Sequence, residues 1–292
     1  MPLPTFLIIG AQKCGTTSLA YYLSQHPSIF MCWPKEPRFF ALEGGHLEPG
    51  GPSDRKRGAG RGVTTLDAYL ALFQGVRQET AIGEASVRYL ESEQAPHRIQ
   101  HHIPSARLIA VLRDPVDRAY SGYLHLIREG REPLRDFLTA FEAEESRYVD
   151  RRTNAWAYRT KGFYARHLRR YLSLFDRDQM LILLYDDFRD HPMQVLSELF
   201  RFLNVDDTFV PNTTQRFERT GIPRIRLLHR ALDRAQSIEA RLPIGFEALR
   251  RWNLVRPPLL PGVRRQLVEV YREDVMDLQE LLGRDLSHWL RA

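Results

Sequence analysis

The stretch that most constrains this chain lies near its amino terminus, where an apolar strand leads through a glycine-flanked loop into a helix. Thr5 to Ile9 form a β-rich apolar run, and Thr17 to Gln25 carry apolar residues at helical spacing. The connecting sequence is Gly10-Ala11-Gln12-Lys13-Cys14-Gly15-Thr16-Thr17. Backbone amides in such a loop point inward, and the helix N-terminus adds partial positive charge. The loop therefore predicts a cradle for an anion.

Strand-like and helical segments alternate along the rest of the chain. Apolar runs typical of buried strands are residues 80–85, 107–112 and 180–185. Helical patterns lie between and after them, at residues 64–73, 95–102, 115–128, 162–175 and 192–203. This order predicts an α/β fold of the P-loop type, with a central parallel sheet flanked by helices. We expect one domain over residues 1–292, with an α/β core at about 5–225 and a helical C-terminal extension at about 226–292.

The charge balance suits an anionic partner. The formal net charge is +6, and the only lysines are Lys13, Lys35, Lys56 and Lys161, so the basic side is almost all arginine. A solvated surface on an arginine-rich chain would give the same excess. No zinc-finger, RRM or similar motif is present, so we expect no nucleic-acid partner.

Cysteines and hydropathy limit the type of protein further. Cys14 and Cys32 form no CxxC pair, so a disulfide framework or structural zinc site is not expected. No apolar run approaches the roughly 18 residues of a membrane span. The first residues lack the charged region of a signal peptide. The sequence thus predicts a cytoplasmic protein without a membrane span, and the Gly- and Pro-rich stretch 42–63 predicts an exposed, mobile loop.

The position of the lysine distinguishes this loop from that of a nucleoside-triphosphate kinase. The kinase pattern GxxxxGK[ST] places lysine directly after the second glycine, where this chain has Thr16, with its lysine earlier at Lys13. No strand ends in a convincing metal-binding aspartate. A Mg²⁺-dependent P-loop kinase stays the alternative within the fold, and a non-catalytic nucleotide-binding module is the alternative from another class.

The string FLIIGAQKCGTTSL resembles the 5′-phosphosulfate loop of sulfotransferases that use 3′-phosphoadenylyl sulfate (PAPS). In that family the lysine occupies the earlier place in the loop, as Lys13 does here. The resemblance implies that the following residues bind the donor: Gly10, Lys13, Cys14, Gly15, Thr16, Thr17 and Ser18.

A second segment, LIAVLRDPVDRAYSGYLH at residues 108–125, resembles the family's 3′-phosphate-binding segment. The resemblance implies that Arg113 and Ser121 hold that phosphate. A guanidinium gives a two-pronged charged contact, and a hydroxyl adds a neutral donor. The alternative for Arg-Asp-Pro after a strand is an N-cap turn with Asp114 as the cap. A looser match, to a late loop that closes over the 3′-phosphate and adenine, consists of Arg219, Thr220 and Gly221.

Sulfuryl transfer needs stabilisation of charge on the bridging oxygen and removal of a proton from the acceptor. Lys13, at the centre of the loop, is placed for the first task. AIGEASVRYL resembles the catalytic-glutamate strand of the heparan-sulfate branch, which implies Glu84 as the general base. KEPRFF resembles another segment of that branch, which implies Lys35 as a second cation at the reacting centre. The cytosolic branch uses a histidine instead, for which the candidates are His101, His102 and His125.

As a whole the sequence resembles PAPS-dependent sulfotransferases, closest to the heparan-sulfate or carbohydrate-type branch. The implied reaction moves a sulfuryl group in line from PAPS to an acceptor hydroxyl or amine and releases 3′,5′-adenosine bisphosphate (PAP). A sulfuryl group carries less charge than a phosphoryl group, so no metal is expected to be required. The expected acceptor is a small molecule or a glycan. Its identity and any homo-oligomerisation stay open at this point.

Overall fold

The computed structural model describes residues 2–45, 62–147, 154–215, 221–239 and 246–291. Its centre is a five-stranded parallel sheet in the order β2-β3-β1-β4-β5. The strands are β1 (Phe6–Gly10), β2 (Ile29–Met31), β3 (Ala81–Ala85), β4 (Arg107–Leu112) and β5 (Met180–Leu184). The predicted α/β class with a central parallel sheet is confirmed.

Helices flank this sheet, and β1 and β3 are buried along their whole length. In the first half of the chain they are α1 (Thr16–Leu23), α2 (Phe39–Leu42), α3 (Leu66–Ala71), α4 (Ala95–His102), α5 (Pro115–Glu129), α6 (Phe137–Glu142) and α7 (Glu144–Arg147). In the second half they are α8 (Tyr164–Leu172), α9 (Tyr185–Asp190), α10 (Pro192–Phe202), α11 (Arg226–Glu239), α12 (Glu247–Asn253) and α13 (Pro261–Leu282). A small antiparallel sheet joins β6 (Ile222–Pro223) to β7 (Leu254–Val255).

The loops that follow the parallel strands meet at one edge of the sheet, which is where ligands bind in open α/β folds. The amide of Ala11, after β1, donates to the carbonyl of Val111 in β4 at 2.9 Å. The amide of Glu36, beyond β2, donates to the carbonyl of Ala85 at the end of β3 at 3.0 Å. These bonds bring the phosphate loop, the KEPRFF segment and the end of the glutamate strand to one edge.

The predicted C-terminal extension is helical, and its last helix belongs to the main core. Tyr271 of α13 is buried, and its hydroxyl donates to the carbonyls of Tyr158 at 3.2 Å and Arg159 at 3.0 Å. Asp274 accepts hydrogen bonds from the amides of Ala165 and Arg166 in the first turn of α8, each at 3.1 Å. The helix therefore stabilises α8 directly.

Two further predictions concern the loop at residues 42–63 and membrane spans. Most of the predicted loop 42–63 lies outside the described residues, in the range 46–61. Among the helices described, none combines the length and apolar character needed to cross a bilayer.

Candidate active site

The phosphate loop has the backbone geometry that the sequence predicts. Gly15, which precedes α1, has φ of 83°, and a Cβ there would lie 3.2 Å from the ring of Tyr185. A side chain at this position would therefore be strained, which favours glycine. No side chain caps the first turn of α1. Its amides thus stay available to an anion.

One cleft connects this loop with the ends of β4 and β5. Within the described residues it is lined by Lys13, Gly15, Thr16, Thr17, Ser18, Tyr22, Arg113, Ser121, Tyr185, Phe188, Arg189, Pro192 and Thr213. Seven of the nine residues predicted from the two main donor motifs meet here, because parallel strands bring their carboxyl ends to the same edge.

Arg113 and Ser121 form the far side of this cleft. Arg113 follows β4 and is only 8% exposed. Its guanidinium lies 4.7 Å from the centre of the Tyr185 ring, and Nη1 donates to the carbonyl of Lys13 at 3.4 Å. Ser121, on α5, is fully buried. The charged group is thus held between the phosphate loop and an aromatic face, which fixes its direction.

The alternative interpretation of Arg-Asp-Pro as an N-cap turn is confirmed for the aspartate. Asp114 Oδ1 accepts hydrogen bonds from the amides of Val116 at 2.8 Å and Asp117 at 3.1 Å. Oδ2 pairs with Arg264 of α13. The capped α5 and the uncapped α1 differ in that only α1 leaves its first amides to a ligand.

Sequence reasoning missed the wall of the cleft that β5 provides. Tyr185, Phe188 and Arg189 belong to α9, which begins directly after β5. Tyr22 also lines the cleft, and its hydroxyl donates to the carbonyls of Thr213 at 3.1 Å and Gln215 at 2.8 Å. The apolar run MLILLY predicts a strand that ends beside Tyr185. Its position next to β4 in the sheet was needed to place Tyr185, Phe188 and Arg189 at the cleft.

Other predicted donor-binding residues do not line the cleft. The amide of Cys14 donates to Ala11 within the loop at 3.3 Å, and Gly10 packs against Leu90. Gly221 is buried against the backbone of Val255. Contacts of these three with a ligand stay predictions. Two of the predicted residues lie outside the described residues: Arg219 and Thr220.

Glu84 is buried on β3, the strand that lies between β2 and β1 in the sheet. It has no exposed surface, and its Oε1 accepts hydrogen bonds from Tyr89 Oη at 2.6 Å and Tyr69 Oη at 3.3 Å. Oε2 has no hydrogen-bond partner among the described residues. A buried carboxylate oxygen without a partner is costly. One half of this carboxyl is therefore left for a group that the protein does not supply.

Burial raises the pKa of Glu84 to about 7, and the nearby charge of Glu36 acts in the same direction. Hydrogen bonds from Tyr89 and Tyr69 oppose the rise because they stabilise the ionised form, and the nearby hydroxyl of Ser86 also lowers the pKa. A carboxyl with a pKa near neutrality can accept and release a proton at physiological pH, which is the property that a general base needs.

Lys35 connects the glutamate side of the site with the phosphate loop. Its Nζ donates to Thr16 Oγ1 at 3.4 Å and lies 3.2 Å from Glu36 Oε1. The amide of Val87, just beyond β3, also donates to Glu36 Oε1 at 3.4 Å. Lys35 is thus placed at the loop, although neither it nor Glu84 lines the cleft itself.

A third lysine at the loop, after Lys13 and Lys35, was not predicted. Lys161 is buried, and its Nζ donates to Gln12 Oε1 at 3.0 Å and lies 3.7 Å from Glu91 Oε1. Burial lowers its pKa to about 8. Gln12 is the residue before Lys13, so this contact supports the part of the loop that carries the predicted catalytic lysine.

The alternative histidine bases lie elsewhere. His125 Nε2 is 3.5 Å from Glu129 Oε1 on the same helix, and His102 Nε2 is 2.6 Å from Glu43 Oε1. None of the three candidate histidines lines the cleft. In the part of the chain that the structure describes, no three His, Cys, Asp or Glu side chains are grouped closely enough to hold a metal ion.

Comparison with known proteins agrees with this geometry. The family model described as "Sulfotransferase family" matches residues 4–209. The chain is 30% identical over 307 residues to bifunctional heparan sulfate N-deacetylase/N-sulfotransferase 3 of Mus musculus, which covers 99% of this chain and 31% of that protein. The Homo sapiens protein of the same name is 30% identical over 302 residues, with the same coverage. The chain therefore spans about a third of the length of these relatives.

Solved structures show the same relationship. A sulfotransferase from Alicyclobacillus acidocaldarius superposes with a TM-score of 0.79 at 34% identity, over 100% of both chains. The sulfotransferase domain of the Synechococcus PCC 7002 olefin synthase has a TM-score of 0.50 at 17% identity, over 98% of this chain and 96% of that one, which shows a shared fold. The chain belongs to the sulfotransferase family.

Proposed function

We propose that this sulfotransferase takes its sulfuryl group from PAPS and that the cleft binds the nucleotide of this donor. One observation carries the proposal: the cleft joins two separate anion-binding groups, the uncapped start of α1 at Lys13 and the Arg113–Ser121 pair. PAPS has phosphates at both its 5′ and 3′ positions. ATP has no 3′-phosphate to place against Arg113, which argues against the kinase alternative.

We propose Glu84 as the general base. The acceptor oxygen or nitrogen forms a bond to sulfur while the bond from sulfur to the bridging oxygen breaks, and Glu84 takes the acceptor's proton. Its Oε2 has no partner among the described residues, and its pKa lies near 7, which suits this task. Because the side chain is fully buried, the acceptor reaches it only by displacing a neighbour. The 3.3 Å hydrogen bond from Tyr69 is the weaker of the two to break.

Two lysines would stabilise the charge that develops during transfer. Lys13, in the cleft, is assigned to the bridging oxygen that leaves with PAP. Lys35, which reaches Thr16 of the loop, is assigned to the sulfuryl oxygens or the acceptor. Fixed cations at such positions lower the barrier because they need not reorganise during the reaction. These groups supply the charge, so the proposal includes no metal.

The acceptor is proposed to be an amine or hydroxyl of a glycan. The support is the similarity to proteins named as heparan sulfate N-sulfotransferases. The cations Lys35 and Arg38, which both contact Glu36 beside the glutamate strand, would favour an anionic chain. We also propose the cytoplasmic location that the sequence predicts.

Calorimetry with two nucleotides in EDTA tests the donor assignment. PAP should bind at least about tenfold more tightly than AMP, because one charge-assisted contact contributes about 1.5–3 kcal/mol. Incubation with labelled PAPS and a set of glycans and phenols, followed by mass spectrometry, then tests transfer. Equal affinity for PAP and AMP would support a kinase. So would tighter binding of ATP in a parallel titration with Mg²⁺ in place of EDTA. Binding of PAP with no sulfated product from any acceptor would support a non-catalytic module.

A further inference from the structure

The excess positive charge of the chain is concentrated in one short region. Residues 221–260, here called the C-terminal module, contain eight arginines and three acidic residues, a net charge of +5. The whole chain has +6. The rest of the protein is therefore close to neutral. The module comprises β6, α11, α12 and β7, and Tyr120 of α5 anchors it through a 3.1 Å hydrogen bond from its hydroxyl to the carbonyl of Pro257.

Large apolar side chains are exposed in the same module. Leu227 is 76% exposed, and the others are Ile225, Leu249, Trp252 and Leu260. Exposed arginines alternate with them at positions 224, 226, 230, 251 and 256. Single exposed apolar residues are ordinary, but a group of them within one small basic unit marks an interaction surface.

A buried asparagine holds part of this surface together. Asn253 Oδ1 accepts a hydrogen bond from the amide of Ile225 at 2.8 Å, and Nδ2 donates to the Ile225 carbonyl at 3.1 Å. The guanidinium of Arg224 lies 5.8 Å from the centre of the Trp252 ring. The start of α11 and the end of α12 are therefore adjacent, and Ile225 and Trp252 lie on one patch.

Helix α11 presents the same mixture of residues on one side. At 100° per residue, Arg226, Leu227 and Arg230 lie within an arc of about 100° and are all exposed. Leu232, on the opposite side, is buried. The exposed arc thus combines cations with a large aliphatic side chain.

We propose that the C-terminal module docks the protein on the surface of a bilayer that contains anionic lipids. Arginine pairs with lipid phosphates, while leucine and tryptophan enter the boundary between headgroups and acyl chains. Docking of this kind needs both cations and exposed apolar side chains, and the module has both. A second copy of the chain fits poorly, because an identical face would bring the same exposed arginines against it. A nucleic acid would use the arginines but leave Leu227 and Leu260 in water.

Flotation of the full chain with lipid vesicles tests the proposal. The protein should bind vesicles of phosphatidylcholine with phosphatidylserine, should not bind phosphatidylcholine alone, and should be released by high salt. Substituting Arg226 and Arg230 together by glutamine should weaken binding about 30-fold, since each arginine near an anionic surface contributes about a factor of five. Leu227→Ser should weaken it about tenfold.

Matched controls lie outside the module. Val210→Ser removes an apolar side chain that is 73% exposed, and Arg201→Gln removes a cation whose side chain is 67% exposed. Both should bind vesicles like the unaltered protein, and all variants should keep PAP affinity, which reports an intact fold. Binding that is equal on both vesicle types, or unchanged by Leu227→Ser, would overturn the proposal. So would binding of heparin or duplex DNA without vesicle binding, or a dimer that Leu227→Ser dissociates.

Discussion

The proposed donor side and the proposed acceptor side of the site use different kinds of structure. The phosphate loop, Arg113 and Ser121 line an open cleft. The first two lie at the ends of β1 and β4, and Ser121 lies on α5. Glu84 instead lies within the core, with Tyr69 and Tyr89 as its partners. The proposed donor side is therefore accessible without displacement of core side chains. The acceptor side holds a carboxyl whose protonation is controlled by burial, so it should respond to pH and to acceptor.

The largest effect should come from replacing the base. Glu84→Gln keeps the shape of the side chain but cannot take a proton, so kcat should fall by about 10²–10⁴-fold. Affinity for PAP should change by less than about 1 kcal/mol, because Glu84 does not line the cleft. Turnover with labelled PAPS and calorimetry with PAP measure the two. His125→Ala is the control and should keep its activity; the reverse pattern would assign the base to a histidine.

The same substitution should stabilise the fold at high pH. The pKa of Glu84 is about 7 in the folded protein, against an ordinary value of 4.5. Between pH 4.5 and 7, Glu84 is ionised in the unfolded chain but protonated in the folded protein. Folding therefore takes up a proton, and the free energy of unfolding falls as pH rises through this range. Above pH 7 this loss of stability reaches its full value of about 3 kcal/mol.

Urea unfolding of the two proteins across pH measures this cost. Glu84→Gln should be the more stable variant above pH 7 and nearly equal to the unaltered protein below pH 4.5. A stability difference that does not depend on pH would show that folding does not raise the pKa of Glu84. The loss of activity and gain of stability together would mark a residue retained for function.

On the donor side, single substitutions should have intermediate effects. Lys13→Ala and Arg113→Ala should each weaken PAP binding by about 1.5–3 kcal/mol, and Ser121→Ala by about 0.5–1.5 kcal/mol, as for charged and neutral hydrogen bonds. AMP supplies the control, because it lacks the 3′-phosphate. Arg113→Ala should leave AMP affinity nearly unchanged, whereas Lys13→Ala should weaken both nucleotides. If Arg113→Ala weakens PAP and AMP equally, the 3′-phosphate does not lie there.

The two sides also differ in how far the sequence could predict them. The donor motifs are continuous in sequence, so their strand, loop and helix were predicted to within a few residues, and the cleft joins them. Strand β2 has only three residues, too few for a period to be recognised. The wall formed by Tyr185 and Phe188 depends on the position of β5 in the sheet, and sequence order does not give sheet order.

The surroundings of Glu84 could not be predicted from its motif. Tyr89 is five residues away in the sequence, but Tyr69 comes from α3, on the other side of β3 in the chain. Both tyrosines in turn pack against Phe40 of α2, and Tyr69 also stacks on Phe39. The sequence indicated a strand-end glutamate, and only the fold shows that its pKa is near 7.

The smallest effects should separate the two tyrosines. A phenol that donates to a carboxylate lowers its pKa, so removing either hydroxyl should move the rising limb of kcat/KM to higher pH. Tyr89→Phe should move its midpoint, expected near 7, by about 1 pH unit, since a 2.6 Å bond to a charged group is strong. Tyr69→Phe removes a 3.3 Å bond and should move it by less than about 0.5 unit. Tyr171→Phe is the matched control, because that buried hydroxyl donates to the carbonyl of Tyr89 and not to Glu84. A midpoint that is unmoved in Tyr89→Phe would assign the titration to a group other than Glu84.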